Sequence, residues 1–113
     1  MRSIVIISEL PLHRDALKSI VKEESPLKVF VYSDLARGIR RAIRLAPGLV
    51  LIDNPDIRPI GIKPLFEHTD RDIKVAVIDW ERNKMVIYSS TAVLEATLEN
   101  IREVIKSTKG NDA

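Results

Sequence analysis

The chain has 113 residues, a length that fits one domain with its own hydrophobic core. Its composition, 45% hydrophobic and 30% charged residues with a net charge of +2, is that of an ordinary globular protein, and so small a charge does not by itself indicate a polyanionic partner. The sequence contains no cysteine, which excludes disulfides, thiolate metal sites and a thiol nucleophile.

The first predicted element is a short apolar run over residues 4–7. It is too short for the apolar region of a signal peptide or for a membrane span. We therefore interpret the run as a buried strand and expect a cytoplasmic protein with no membrane partner. We expect one domain over residues 1–108, followed by a frayed tail over residues 109–113.

Apolar runs and amphipathic helices alternate through the first half of the chain. Pro11 is well placed to open a first helix, and Ser33 or Asp34 can cap a second. This alternation of strands and helices predicts a parallel sheet with right-handed crossovers. The strands are predicted over residues 4–7, 29–32 and 49–52.

The region after the third strand is less regular. Three prolines, Pro55, Pro59 and Pro64, disfavour a long helix there, and we expect a loop followed by a short helix over residues 62–68. A last helix, which Thr97 can cap, is expected at the end of the chain.

Two further apolar runs, residues 73–78 and 84–88, are predicted to form a hairpin. Only five residues separate them, whereas a parallel crossover needs about a dozen. The second run is therefore expected to be antiparallel and to lie at the edge of the sheet. An edge strand leaves backbone groups unpaired, and two outcomes stay open. The segment after Tyr88 folds back over this edge before the last helix begins near Thr97, or a second copy of the chain docks there as a symmetric homodimer, which we favour. The expected interaction surface consists of Trp80, Met85 and Ile87.

The first 53 residues resemble the receiver domain of response regulators, especially receivers of the LuxR type, and two segments carry the resemblance. Residues 8–17 read SELPLHRDAL and residues 47–53 read PGLVLID, which follow the family's first helix start and its third strand. The resemblance implies a flavodoxin-like, three-layer α/β sandwich with a five-stranded, mostly parallel sheet. It also implies that Asp53 stands at the phosphoacceptor position.

The second half departs from the receiver pattern. Asp79 stands where the family has a Thr or Ser that binds the phosphoryl group, and Tyr88 and the serines after it fill the region of the family's phosphate-pairing lysine. Lys84 lies at the other end of that strand, and the family's fourth helix is missing. The resemblance therefore implies a pseudo-receiver, in which the fold is kept and the phosphoryl switch is largely lost.

Asp53 is the main candidate site residue, and three interpretations of it stay open. It caps the turn at Asn54, which we favour; or it accepts a phosphoryl group; or it binds a cation. Glu9 and Asp53 are the candidate ligands for Mg²⁺, and otherwise we expect no cofactor. His13, one turn into the first helix, is interpreted as a surface histidine without a partner.

The second predicted helix carries a basic face. The spacing i, i+3, i+4, i+7 places four arginines opposite its apolar stripe, namely Arg37, Arg40, Arg41 and Arg44. Such a face can contact nucleic-acid phosphates, or it can simply be solvated or paired with carboxylates such as Asp34. The modest net charge and the scarcity of aromatic residues favour the second interpretation.

Together these observations predict a non-catalytic, receiver-like protein-interaction module of two-component signal transduction. We expect it to bind a protein partner or itself, independently of phosphorylation. The first alternative is a stand-alone phospho-accepting receiver that uses Asp53. The second is a small nucleic-acid-binding protein that uses the arginines of the second helix.

Overall fold

The computed structural model describes residues 3–25, 27–68 and 72–110. For residues 109 and 110 it describes the backbone alone. Over the described residues the chain forms six strands, four α-helices and one 3₁₀ turn. They are β1 (Ser3–Ser8), α1 (Pro11–Glu24), β2 (Lys28–Tyr32), α2 (Leu35–Leu45), β3 (Leu49–Asp53), α3 (Pro59–Glu67), β4 (Lys74–Asp79), β5 (Lys84–Tyr88), β6 (Val93–Thr97), the 3₁₀ turn (Leu98–Asn100) and α4 (Ile101–Gly110).

The strands form one mixed sheet in the order β2-β1-β3-β4-β5-β6. Strands β1 to β4 are parallel, as the strand–helix alternation predicted, while β5 and β6 are antiparallel to their neighbours. The predicted hairpin is confirmed, since Asp79 pairs with Lys84 in an antiparallel register. Its turn includes Asn83 at φ 53°, a left-handed conformation that Asn tolerates better than most residues.

The prediction of a five-stranded sheet with β5 at its edge is wrong. A sixth strand, β6, pairs with β5 along its whole length and is itself the edge. Its sequence, VLEAT, includes Glu95 and Ala96, which are residue types depleted in strands, so the sequence pattern is weak there. A tight hairpin joins β5 to β6, because the Ser89 N–H donates to the Ala92 carbonyl at 2.9 Å.

Helices cover both faces of the sheet. Alternate residues of the central strands point to opposite faces, and each face has its own apolar cluster. Helices α1 and α4 pack on one face, where Leu17 and Ile105 are fully buried, and α2 and α3 pack on the other, where Ala42 and Leu65 are fully buried.

Helix α2 lies very close to β1. A Cβ atom at Gly38 would lie 2.7 Å from Ile7 Cδ1, so no other residue type fits there without displacing the core. The helix begins as predicted at Asp34, whose carboxylate accepts the Arg37 N–H at 2.8 Å.

Two helix boundaries differ from the predictions and one agrees. Helix α3 begins at Pro59, before the predicted start, because proline is well accommodated in the first turn of a helix. Thr97 forms the predicted cap, with Asn100 completing a capping box. Helix α4 extends to Gly110, so the tail predicted from residue 109 includes the end of this helix, and residues 111–113 lie outside the described residues.

Across the part of the chain that the structure describes, no helix is long and apolar enough to cross a bilayer.

Candidate functional site

The candidate site lies where the parallel strands end. Ser8 and Asp53 are register partners on the neighbouring strands β1 and β3, at the carboxyl edge of the sheet. Open α/β sheets bind ligands at this edge. A cleft of about 590 Å³ lies there. Its lining includes the polar and aromatic residues Glu9, His13, Asp53, Asn54, Asp56, Asp79, Trp80, Glu81 and Arg82.

Asp53 is held by two hydrogen bonds within the chain. Its side chain is 4% exposed, and Oδ2 accepts from Ser8 Oγ at 2.8 Å and contacts His13 Nδ1 at 2.9 Å. An ionised carboxylate only accepts hydrogen bonds, so Nδ1 of His13 is the donor to Oδ2. The interpretation of His13 as a histidine without a partner is therefore wrong.

The imidazole of His13 also contacts Trp80, which follows β4. The two ring centroids lie 4.9 Å apart with the planes tilted by 37°. His13 is 34% exposed, and both residues line the cleft. Trp80 packs partly against the core on the α1 face, and its indole Nε1 is buried without a hydrogen-bond partner among the described residues. Trp80 thus belongs to the cleft rather than to a sheet edge.

The remaining charges of the cleft are mainly negative. Asp79 accepts the Arg82 N–H at 3.2 Å, and its Oδ2 lies 3.7 Å from the Arg82 guanidinium. Lys84, opposite Asp79 in the register, lies at the carboxyl edge of the parallel strands because β5 is antiparallel, yet it does not line the cleft. Arg82 is therefore the cleft's cationic residue, apart from the titratable His13.

The predicted magnesium ligands Glu9 and Asp53 both line the cleft. Glu9 is exposed, whereas Asp53 is nearly buried with Oδ2 already bonded to two donors. Among residues 3–25, 27–68 and 72–110, no group of three or more His, Asp or Glu side chains is arranged to hold a metal ion. The magnesium site stays a prediction.

The interaction surface predicted on β5 is wrong. Met85 is fully buried, and Ile87 packs against the core on the α1 and α4 face. Both residues lie on a strand that β4 and β6 flank on its two sides. The error follows from the missed strand, since β6 takes the edge position that the sequence pattern assigned to β5.

The four arginines of α2 form one exposed ridge, as predicted. Together they line a shallow groove of about 380 Å³. Asp34 does not pair with a guanidinium group, since its carboxylate caps the helix. Within the described parts of the chain, none of the four guanidinium groups forms an ion pair. The ridge of Arg37, Arg40, Arg41 and Arg44 is therefore a concentration of charge that nothing in the described residues neutralises.

Searches against protein-family models find no match for this chain. No curated protein matches it either.

The hydrogen-bonded set of Ser8, His13 and Asp53 was not predicted as a unit. Ser8 and Asp53 each end a predicted parallel strand, so the rule that such strands converge at one edge could have placed them together. That rule does not reach His13, because it lies on α1 and its contact with Asp53 depends on how this helix packs on the sheet.

Proposed function

We propose that this chain is a flavodoxin-like, receiver-like protein-interaction module of signal transduction, cytoplasmic and non-catalytic, whose activity does not depend on phosphorylation. One observation carries the proposal. The carboxylate at the acceptor position, Asp53, is nearly buried and is bonded within the chain to Ser8 and His13.

The arrangement of the first four strands supports the receiver-like part of the proposal. Their order, β2-β1-β3-β4, matches the start of the flavodoxin-like order, and helices lie on both faces. Asp53 ends the central strand β3, and the segments that resemble receivers, residues 8–17 and 47–53, include both Ser8 and Asp53.

The chemistry of the cleft supports independence from phosphate. Phosphoryl transfer to a carboxylate needs a free oxygen nucleophile and cations that neutralise the phosphoryl oxygens. Here Oδ2 of Asp53 already accepts two hydrogen bonds, and the side chain is only 4% exposed, so access to the carboxylate is restricted. An acyl phosphate carries about two negative charges where the carboxylate carried one, so phosphorylation would make the cleft more negative. Beside Asp53, the cleft already contains four carboxylates and one arginine: Glu9, Asp56, Asp79, Glu81 and Arg82.

The proposal is tested by incubating the protein with acetyl phosphate and Mg²⁺ and measuring its intact mass. We expect the mass to stay that of the unmodified chain. Asp53→Asn is the matched control, because the amide keeps the size of the side chain and an acceptor oxygen for Ser8. A mass gain of one phosphoryl group in the wild type that Asp53→Asn abolishes would show that the chain is a phospho-accepting receiver instead.

The unpaired arginine ridge favours a second candidate function, sequence-independent contact with nucleic-acid phosphates. We rank it below the first because one ridge on one short helix supplies few phosphate contacts. Titration with duplex DNA and RNA at physiological salt is expected to show no binding tighter than the non-specific range of about 10⁻⁴ to 10⁻⁶ M. Nanomolar, salt-sensitive binding that is lost when Arg40, Arg41 and Arg44 are changed to Gln would reverse the ranking.

A further inference from the structure

The edge strand β6 has the features of a pairing surface. It has a neighbour on one side only, and Val93 and Leu94 are 62% and 60% exposed. Natural edge strands are commonly protected by charged side chains, lysine above all, by proline or by a bulge. Strand β6 contains no lysine or proline, its register with β5 is continuous, and Glu95 is its single charged residue. At the other edge, β2 begins with the exposed Lys28, and the rest of that strand is half-buried.

The hydrogen bonds of the hairpin show which backbone groups of β6 face outward. Ser89 N–H donates to the Ala92 carbonyl at 2.9 Å, and Leu98 N–H donates to the Asn83 carbonyl at 3.4 Å. Hydrogen-bonded and non-hydrogen-bonded pairs alternate along an antiparallel ladder. Leu94 and Ala96 therefore bond to β5, whereas the N–H and C=O groups of the three alternate residues point away from the sheet. These are Val93, Glu95 and Thr97.

We propose that β6 pairs with β6 of a second copy of this chain, antiparallel about a two-fold axis, so that one sheet runs through both copies. The axis is perpendicular to the sheet, so each residue lies opposite one from the same face. A register centred on Glu95 overlaps all five residues of β6, and a register centred on Leu94 overlaps residues 93–95.

Charge decides between these two registers. The Thr97 N–H already bonds to Asn100 Oδ1 at 3.3 Å and cannot serve the ladder, so both registers can form the same number of backbone bonds. Centring on Glu95 places two carboxylates directly opposite each other, which is destabilising. Centring on Leu94 instead places two exposed leucines opposite each other and Glu95 opposite Val93, so we assign the Leu94 register.

This inference rests on the proposed function in one respect, namely that the chain acts through contacts with protein. The two fail separately. A phosphorylated Asp53 would overturn the proposed function and leave β6 pairing untouched, whereas a monomeric chain would overturn the pairing and leave the phosphorylation result unchanged.

Sedimentation equilibrium at micromolar concentration tests the pairing. We expect the wild type to dimerise and Leu94→Lys to raise the dissociation constant at least about tenfold, because a lysine on the edge opposes strand pairing. Leu12→Lys is the matched control, since Leu12 is 83% exposed on α1, and we expect it to dimerise as the wild type does. A wild type that stays monomeric, or a Leu94→Lys variant with the dissociation constant of the wild type, overturns the proposal.

Cysteine cross-linking tests the register without requiring the dimer to be destabilised. The chain has no cysteine, so Leu94→Cys introduces the only thiol. Opposed residues of a non-hydrogen-bonded pair lie about 4.5 Å apart at Cα, within the range of a disulfide. Under copper phenanthroline in air, Leu94→Cys should form a covalent dimer faster than Glu95→Cys and faster than the control Leu12→Cys. Equal rates, or a faster Glu95→Cys, contradict the Leu94 register.

Discussion

The carboxyl edge of the sheet and its β6 edge differ in whether their polar groups have hydrogen-bond partners within the chain. At the carboxyl edge, the Asp53 carboxylate is nearly buried and bonds to Ser8 and His13. Along β6, the outward backbone groups of Val93 and Glu95 have no neighbouring strand. A buried polar group that lacks a hydrogen bond is costly, while an exposed one is served by water until a partner replaces the water. Partner binding is therefore expected at the open edge, and ligand chemistry is not expected at the Asp53 carboxylate, which already has hydrogen-bond partners within the chain.

The largest expected effect on stability comes from removing the hydrogen bonds of Asp53. Asp53→Ala removes the acceptor of His13 Nδ1 and the nearer acceptor of the buried Ser8 Oγ, which is left with the Leu10 carbonyl at 3.3 Å. We therefore expect a loss of about 1–3 kcal/mol in the free energy of unfolding. Asp53→Asn keeps an acceptor oxygen and should lose less. Urea unfolding of both variants measures this. Equal stability of Asp53→Ala and the wild type would mean that the hydrogen bonds do not hold the site together.

A smaller effect of opposite sign is expected on the arginine ridge. Arg41 lies four residues from Arg37 and three from Arg44, and like charges at these spacings destabilise a helix. Arg41→Gln should therefore raise the free energy of unfolding by a few tenths of a kcal/mol at low salt, up to about 0.5 kcal/mol.

Lys63→Gln is the matched control for the ridge, because Lys63 has a partner, Glu67 Oε1, at 3.5 Å on the same helix. Removing this cation should lower the stability slightly. The difference between the two variants should shrink at high salt. If both variants lower the stability by the same amount, Arg41 has stabilising partners, and the predicted repulsion among the arginines is wrong.

The smallest expected effect is the acid sensitivity of an ion cluster between α1 and α4. Arg102 lies 2.8 Å from Glu23 and 2.7 Å from Glu24, and its hydrogen bond holds the pKa of Glu24 below the ordinary value of 4.5. A lowered carboxyl pKa in the folded state stabilises the fold above the unfolded pKa. That contribution is lost as the pH falls through the folded pKa.

The wild type is therefore expected to lose stability between pH 7 and acid in part because Glu24 is protonated. Arg102→Gln should make this loss smaller. Urea midpoints measured from neutral pH to below 4.5 at low salt test this. The effect should be weak because Arg102 and Glu23 are exposed, and salt screens their charges. An unchanged pH profile would show that the cluster contributes nothing measurable.

Local patterns predicted the parallel half of the fold well. The continuous apolar runs of β1 and β3 are buried along their length, and Asp34 caps α2 as its position before an apolar stripe predicts. The hairpin of β4 and β5 followed from the length of its loop alone. Each of these features depends on residues that are close together in sequence.

The features that could not be predicted depend on distant contacts or weak patterns. Strand β6 includes Glu95 and Ala96, so its pattern did not indicate a strand, and the expected interaction surface was consequently placed on β5. The bond from His13 to Asp53 depends on how α1 packs on the sheet, which a single sequence does not reveal. The arginine ridge was predicted from the spacing of its residues. Its lack of ion pairs could not be predicted, because it depends on which side chains pack around α2.

The state of the His13 imidazole with and without a phosphoryl analogue tests the central claim most directly. Long-range ¹H–¹⁵N spectra of a uniformly labelled sample identify the protonated nitrogen of each neutral imidazole, and His68 provides an internal reference. If Asp53 is committed to the chain, His13 carries its proton on Nδ1, and addition of Mg²⁺ and beryllofluoride leaves that signal unchanged. A shift of the His13 proton to Nε2 on addition of the analogue would show that Asp53 releases His13 to receive a phosphoryl group, which contradicts the account.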